Sequence, residues 1–275
     1  MAYCPTDSVE IYYEVHGSGP PLLLVSGLGG GTWSWYGQIP YFSRRYTTIV
    51  FDNRGAGRSS MPPGPYTMSD FASDTLALLD HLGIERCFLA GLSMGGMIAQ
   101  ETVLRAPGRF QALALGCTHC GGDVRISPDP EVIARFTDNE GLSQEEIIEK
   151  NLPFFFSRRA LEEDPEAVEA YRKAQLSVPL QPPEAFHAQL AAIQTFDCCD
   201  RLGSLSVPTL VVTGTEDVLV PPENARILAR RIQGAVLVEL EGAGHALHAE
   251  CRDELNRLLD DFFSGRPVHM GENRE

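Results

Sequence analysis

Two rhythms of apolar and polar positions alternate along the first part of the chain. Short unbroken apolar runs at 22–25 and 87–90 end in glycine-rich turns, and stretches with apolar residues at helical spacing lie between and after them. An unbroken apolar run of this length suits a strand buried on both faces, and strands that alternate with helices pair in parallel. Residues 21–115 therefore predict an α/β fold, with a mostly parallel central sheet and helices on both faces. The rhythm resumes with a β-branched strand at 207–213, a helix over about 222–232, a strand at 235–240 and a helix over about 246–263. Between 121 and 205 it stops. That segment predicts helices at 130–136, 143–151, 165–176 and 183–194, with boundaries marked by Pro and Ser. The chain thus divides into a core, residues 1–121 and 206–265, interrupted by a helical insertion at 122–205. Residues 266–275, rich in Gly, Pro and charge, read as a mobile tail.

The run at 87–90 leads into Gly91-Leu92-Ser93-Met94-Gly95-Gly96, and a helical pattern follows at once. A strand that turns this sharply into a helix strains the backbone at its apex, so the residues two positions away must lack bulk. Gly91 and Gly95 meet that need. Ser93 at the apex, beside a helix N-terminus, is a candidate nucleophile, although the same residues could make a plain helix-capping turn. A serine hydroxyl attacks poorly until an imidazole takes its proton and a carboxylate holds that imidazole in the right tautomer. Both partners follow, each just after a predicted strand. Asp217 lies in the loop after 207–213, with Glu216 beside it as an alternative. His245 lies in the glycine-rich loop after 235–240, and its competitor His248 falls in the next helix, where a structural role suits it better. The order Ser93, Asp217, His245 is the one this chemistry uses when the nucleophile sits on such an elbow. Two backbone donors must then hold the oxyanion. They are assigned to the N–H of Met94 and to that of Leu28, in a loop where Gly27 and Gly29 allow close approach.

Composition narrows the partners. The chain has 275 residues, 43% of them hydrophobic, enough to bury a substantial core. A net charge of −15, from 22 basic and 37 acidic residues, argues against nucleic acid or an anionic membrane as partner. No apolar stretch approaches the roughly 20 residues needed to span a membrane, and residues 1–14 lack a signal-peptide apolar region. Seven cysteines, an odd number without scaffold-like spacing, predict reduced thiols in a cytoplasmic protein. Cys117 and Cys120 enter the insertion, and Cys198 and Cys199 leave it. They read mainly as small buried side chains, with a metal site or a redox clamp as the lesser alternative. The expected chemistry needs no cofactor and no metal.

With these segments in place, the chain resembles the α/β-hydrolase superfamily over nearly all of its length outside the insertion. The resemblance is carried by Gly17-Ser-Gly-Pro-Pro-Leu-Leu-Leu-Val25, Phe51-Asp-Asn-Arg-Gly-Ala-Gly-Arg-Ser59, the Ser93 elbow, Gly214-Thr-Glu-Asp217 and Gly244-His245. Within it, residues 65–85 and 91–97 are similar to the 3-oxoadipate enol-lactonase group. The oxyanion loop opens with Ser26-Gly27, where most of the superfamily has His-Gly and the enol-lactonases usually Asn-Ser. The resemblance implies that 122–205 form a cap that roofs the pocket and selects the substrate. Phe154, Phe155, Phe156, Phe186 and Phe196 are candidate lining, most of them expected to pack the cap onto the core instead. An enol-lactone of the family's type carries a carboxylate, which would turn one of Arg125, Arg135, Arg158, Arg159 and Arg172 toward the pocket. The implied activity is hydrolysis of a small carboxylic ester or lactone through an acyl-Ser93 intermediate. C–C bond hydrolysis of a diketone, or perhydrolysis, would use the same three residues, and a non-enzymatic small-ligand receptor is a further alternative. Ser93 speaks against epoxide hydrolases and haloalkane dehalogenases, which need an aspartate there.

Overall fold

The computed structural model describes residues 2–268, so most of the expected mobile tail lies outside the described residues. The unbroken apolar runs become the centre of a sheet whose strands are β1 (Ala2–Pro5), β2 (Glu10–His16), β3 (Pro21–Val25), β4 (Thr47–Phe51), β5 (Cys87–Leu92), β6 (Phe110–Gly116), β7 (Thr209–Gly214) and β8 (Val236–Leu240). Their order is β1-β2-β4-β3-β5-β6-β7-β8. The β1–β2 and β2–β4 pairs are antiparallel, and every later pair is parallel. Alternate residues along a strand point to opposite faces. Leu23, Val25, Ile49, Leu89 and Leu113 accordingly join one apolar layer, and Leu22, Leu24, Val50, Ala90 and Leu210 the other. Helices Met68–His81 and Met94–Arg105 cover the first layer with Phe71, Leu78, Met97 and Ile98. Helix Arg252–Phe263 covers the second with Leu255, Leu258 and Phe263.

The last helix departs from the expected single run over about 246–263. It is split at Cys251 (φ −110°, ψ 34°) into Leu247–Glu250 and Arg252–Phe263. Glu250, just before the break, accepts hydrogen bonds from the N–H groups of Gly244 (3.1 Å) and Ser157 (3.0 Å), which hold the short first turn against its surroundings.

Between β6 and β7 lie five α-helices, Pro130–Thr137, Gln144–Phe155, Arg158–Glu163, Pro165–Leu176 and Pro183–Thr195, followed by the short 3₁₀ helix Cys199–Ser204. Four match the expected positions. The second runs on through Pro153 to Phe155, beyond its expected end at 151, because Leu152 and Phe154 are buried and their packing outweighs the one missing N–H. Arg158–Glu163 is too short to show a period, and only its cap marks it: Ser157 Oγ accepts the Ala160 N–H at 3.1 Å. Phe154, Phe156 and Phe196 are buried, while Phe155 and Phe186 stay partly open.

The two ends of the insertion meet. Gly121 and Asp197 form an antiparallel bridge, and Cys198 N–H donates to Cys120 C=O at 2.9 Å. Beside them Cys120 and Cys199, 79 residues apart in sequence, are joined by a disulfide. This corrects the expectation of reduced thiols for that pair. The two linkers leave and re-enter the sheet at the neighbouring strands β6 and β7, which brings the cysteines together whatever their spacing in the chain. Cys4, Cys87, Cys117, Cys198 and Cys251 are free thiols.

Candidate active site

Ser93 stands between the end of β5 and helix Met94–Arg105 with φ 55° and ψ −123°, a left-handed conformation that costs a non-glycine residue about 1–3 kcal/mol. The neighbouring strand holds it there. Ser93 N–H donates to Gly116 C=O at 2.8 Å, and Ser93 C=O accepts the Thr118 hydroxyl at 2.7 Å. Space around the turn is as tight as the motif requires. A Cβ on Gly91 would strike the Gly95 carbonyl, and one on Gly95 would strike the carbonyls of Val25 and Ser26.

Asp217 follows β7 and its side chain is fully buried. Its Oδ1 accepts the N–H groups of Leu219 (2.9 Å) and Val220 (2.8 Å), which fixes the carboxylate plane. Its Oδ2 lies 2.8 Å from Nδ1 of His245, in the loop after β8. With the proton on Nδ1, the other ring nitrogen is left as a base. The histidine loop is pinned to the insertion: Ala246 N–H donates to Phe155 C=O at 2.7 Å, and Ser157 and Gly244 share the Glu250 carboxylate. An aromatic wall runs from there, with Phe155 6.0 Å from the His245 ring centroid, Tyr171 5.7 Å from Phe155, and Trp33 5.9 Å from Tyr171. Glu216, the alternative acid, is exposed.

The loop after β3 passes against Ser93. A Cβ on Gly27 would lie 3.1 Å from the Ser93 Cβ and 3.6 Å from its Oγ. Ser26, at the position where the sequence departs from His-Gly, closes the loop on itself by donating its hydroxyl to Gly31 C=O at 2.8 Å. Asn53 donates to Ser26 C=O (2.9 Å), Asp52 accepts Thr32 N–H (2.7 Å), and Gln189 of the insertion accepts Gly29 N–H (2.9 Å). Among the described residues the N–H groups of Leu28 and Met94 have no protein acceptor. Sequence reasoning did not single out Asp52, Asn53 and Gln189. The first two lie in the quoted 51–59 segment, whereas Gln189 carries no local signal.

The remaining candidates separate. Cys117, Asp217 and His245 place ligand atoms within 4.8 Å of one another, the one such group among the described residues, and the Asp217–His245 hydrogen bond runs through it. Cys117 therefore faces the acid and imidazole rather than the other linker cysteines, and burial pushes its thiol well up from the usual range. Cys198 Sγ sits 3.4 Å from Gln100 Oε1. Arg158 pairs with Glu162 and Arg172 with Glu149 and Glu169. Arg125, Arg135 and Arg159 make no ion pair among the described residues. His248 packs between Trp35 and Tyr171, with both ring nitrogens buried and unpartnered.

Two histidines make stability pH-dependent. Burial lowers His248 to about 4 and His119 to about 3. Both are neutral when folded at neutral pH, whereas the unfolded chain takes up their protons near pH 6.5. Their stabilising contribution is thus full above that value and is lost as pH falls toward 4. Each histidine should remove about 1.4 kcal/mol per pH unit over that window. Urea denaturation at pH 7 and pH 5 checks this, and His119→Gln should flatten the dependence. An equal slope in wild type and variant would remove His119 from the account.

A family model for the alpha/beta hydrolase fold matches residues 20–250. The chain belongs to the α/β-hydrolase family. This hydrolase is 30% identical over 262 residues to a protein named as a carbamate hydrolase, RutD, from Azorhizobium caulinodans, covering 95% of this chain and 98% of that one. It is 29% identical to 3-oxoadipate enol-lactonase 2 of Acinetobacter baylyi, covering 92% of each. The crystal structure of the enol-lactonase from Burkholderia xenovorans matches with a TM-score of 0.84 at 29% identity, over 96% of this chain and 100% of that one. Among the described residues no helix is long and apolar enough to cross a membrane.

Proposed function

We propose that the protein cleaves a small carboxylic ester or lactone by transferring its acyl group to Ser93. The observation that carries the reading is the buried 2.8 Å contact between Asp217 Oδ2 and His245 Nδ1, on loops at the same end of the parallel sheet as a serine held at a strained elbow. His245 Nε2 takes the proton of Ser93 Oγ as that oxygen bonds to the substrate carbonyl carbon. The carbonyl electron pair moves onto its oxygen, which the N–H groups of Leu28 and Met94 stabilise. As the C–O bond to the leaving group breaks, His245 returns the proton to that oxygen. In a lactone the new alcohol stays attached to the acyl chain. Water then attacks the acyl-serine, with His245 again the base, and the acid is released. Asp217 keeps Nδ1 protonated throughout. Residues 122–205 act as the cap, a role supported by their ties to the histidine and oxyanion loops. Phe155, partly open and 6.0 Å from the His245 ring, suits an apolar acyl or alcohol group on that side of the site.

Carbamate cleavage is the second reading, favoured by the likeness to the protein named as a carbamate hydrolase. It would pass through a carbamoyl-Ser93, which the nitrogen lone pair makes slower to hydrolyse. The test is turnover of aryl esters, lactones and an aryl carbamate, with intact-mass detection and peptide mapping of the adduct. Esters or lactones turned over faster than the carbamate, with the adduct on Ser93, are the expected outcome. A faster carbamate with the same adduct shifts the assignment to the second reading. Adducts mapped to another residue would overturn both.

A further inference from the structure

We infer that Gln189, on the insertion, is a positioning residue that holds the oxyanion loop in its working shape, so that oxyanion stabilisation depends on how the insertion is seated. The inference rests on the acyl-Ser93 reading above. Gln189 lies on helix Pro183–Thr195, far in sequence from the loop, and is fully buried. Its Oε1 accepts Gly29 N–H at 2.9 Å and its Nε2 donates to Arg54 C=O at 2.7 Å. Both partners are backbone groups of fixed polarity, so the amide has one possible orientation. Turned over, it would set carbonyl against carbonyl and N–H against N–H.

The anchor beneath it is rigid. Arg54 makes two charge-assisted bonds to the buried Asp74, at 2.6 and 2.7 Å. A second amide of the insertion reinforces the first: Gln181 Nε2 donates to Gly55 C=O at 2.6 Å, and its Oε1 lies 3.0 Å from where a Cβ on Gly29 would be. The loop needs such help at this point. Gly29 has φ +67°, and a glycine in that region has alternative conformations within easy reach.

The N–H and C=O of one peptide point in opposite directions. Holding Gly29 N–H on Gln189 therefore also fixes the Leu28 carbonyl and, through the Leu28 backbone angles, the direction of the Leu28 N–H. The Gly29 N–H is itself occupied by Gln189, so Gln189 works through the loop and does not contact the reacting oxygen. Without it, the partly buried Gly29 donor would lose its one protein acceptor and the 28–29 peptide would be free to turn.

Gln189→Met removes both hydrogen bonds at nearly constant volume. Gln189→Asn keeps an amide in the site but is one methylene too short to span its two partners, and it serves if the Met variant does not fold. Two readouts are taken on full-length protein: kcat and KM on an aryl acetate, and the rate at which a fluorophosphonate labels Ser93, which also builds negative charge on an oxygen facing Leu28 and Met94. Both kcat and the labelling rate should fall about 10- to 100-fold, with KM within about 3-fold of wild type, the scale expected when a transition-state donor is displaced rather than deleted. A purely structural role would lower the melting temperature and leave both rates of the folded fraction unchanged, which overturns the inference. If wild-type Ser93 is not labelled at all, the acyl-serine reading fails instead.

Discussion

Replacing Ser93 by Ala is expected to lower kcat on an aryl ester by about 10⁴- to 10⁶-fold and to leave the protein folded. The loss is large because in the proposed mechanism Ser93 Oγ forms the only covalent bond between protein and substrate, and without it His245 has no hydroxyl to activate. The fold should hold because the contacts that fix residue 93 are made by its backbone, to Gly116 and Thr118, and not by its hydroxyl. Ala bears the same positive φ at the same cost, so thermal unfolding should move by no more than a few degrees. Activity in the variant within about 10-fold of wild type would remove Ser93 from the mechanism.

Asp217→Asn is expected to cost about 10⁴-fold in kcat with little effect on KM. The Asn Oδ1 can still accept the N–H groups of Leu219 and Val220, so the loop keeps its shape. Its NH₂ group, however, now faces Nδ1 of His245 across the same 2.8 Å contact. That donor forces the imidazole proton onto Nε2, the nitrogen that must act as base, and the ring is held in the wrong tautomer. Glu216→Gln is the matching control, since Glu216 is exposed, and it should stay within about 2-fold of wild type, as surface substitutions usually do. Equal losses in the two variants would show that Asp217 has no special place.

The elements that carry Ser93, Asp217 and His245 were legible because each is announced locally, by an apolar run followed by glycine or a turn. The structure brings Asp217 and His245 into contact and seats Ser93 on the expected elbow, while Glu216 and His248 point elsewhere. What could not be read joins segments far apart in the chain. The Cys120–Cys199 bond depends on β6 and β7 being neighbours, and the Gln189–Gly29 bond on how a helix of the insertion lies over a loop 160 residues earlier. Neither leaves a periodic trace. The break at Cys251 and the short helix Arg158–Glu163 escaped for a different reason, being smaller than the window over which helical spacing can be recognised.

The 4.9 Å between the Cα atoms of Cys120 and Cys199 has a consequence for how this protein could diversify. The chain leaves the sheet and comes back through one gap, so the residues between behave as a cassette, whose length and internal fold can change without disturbing strand register. An exchange of cassettes with a relative would then look like a simple graft of specificity. Gln189 makes it more than that, because the amide that steadies the oxyanion loop travels with the graft. A donor lacking an equivalent side chain would bring a new pocket and a slackened catalytic loop in the same step.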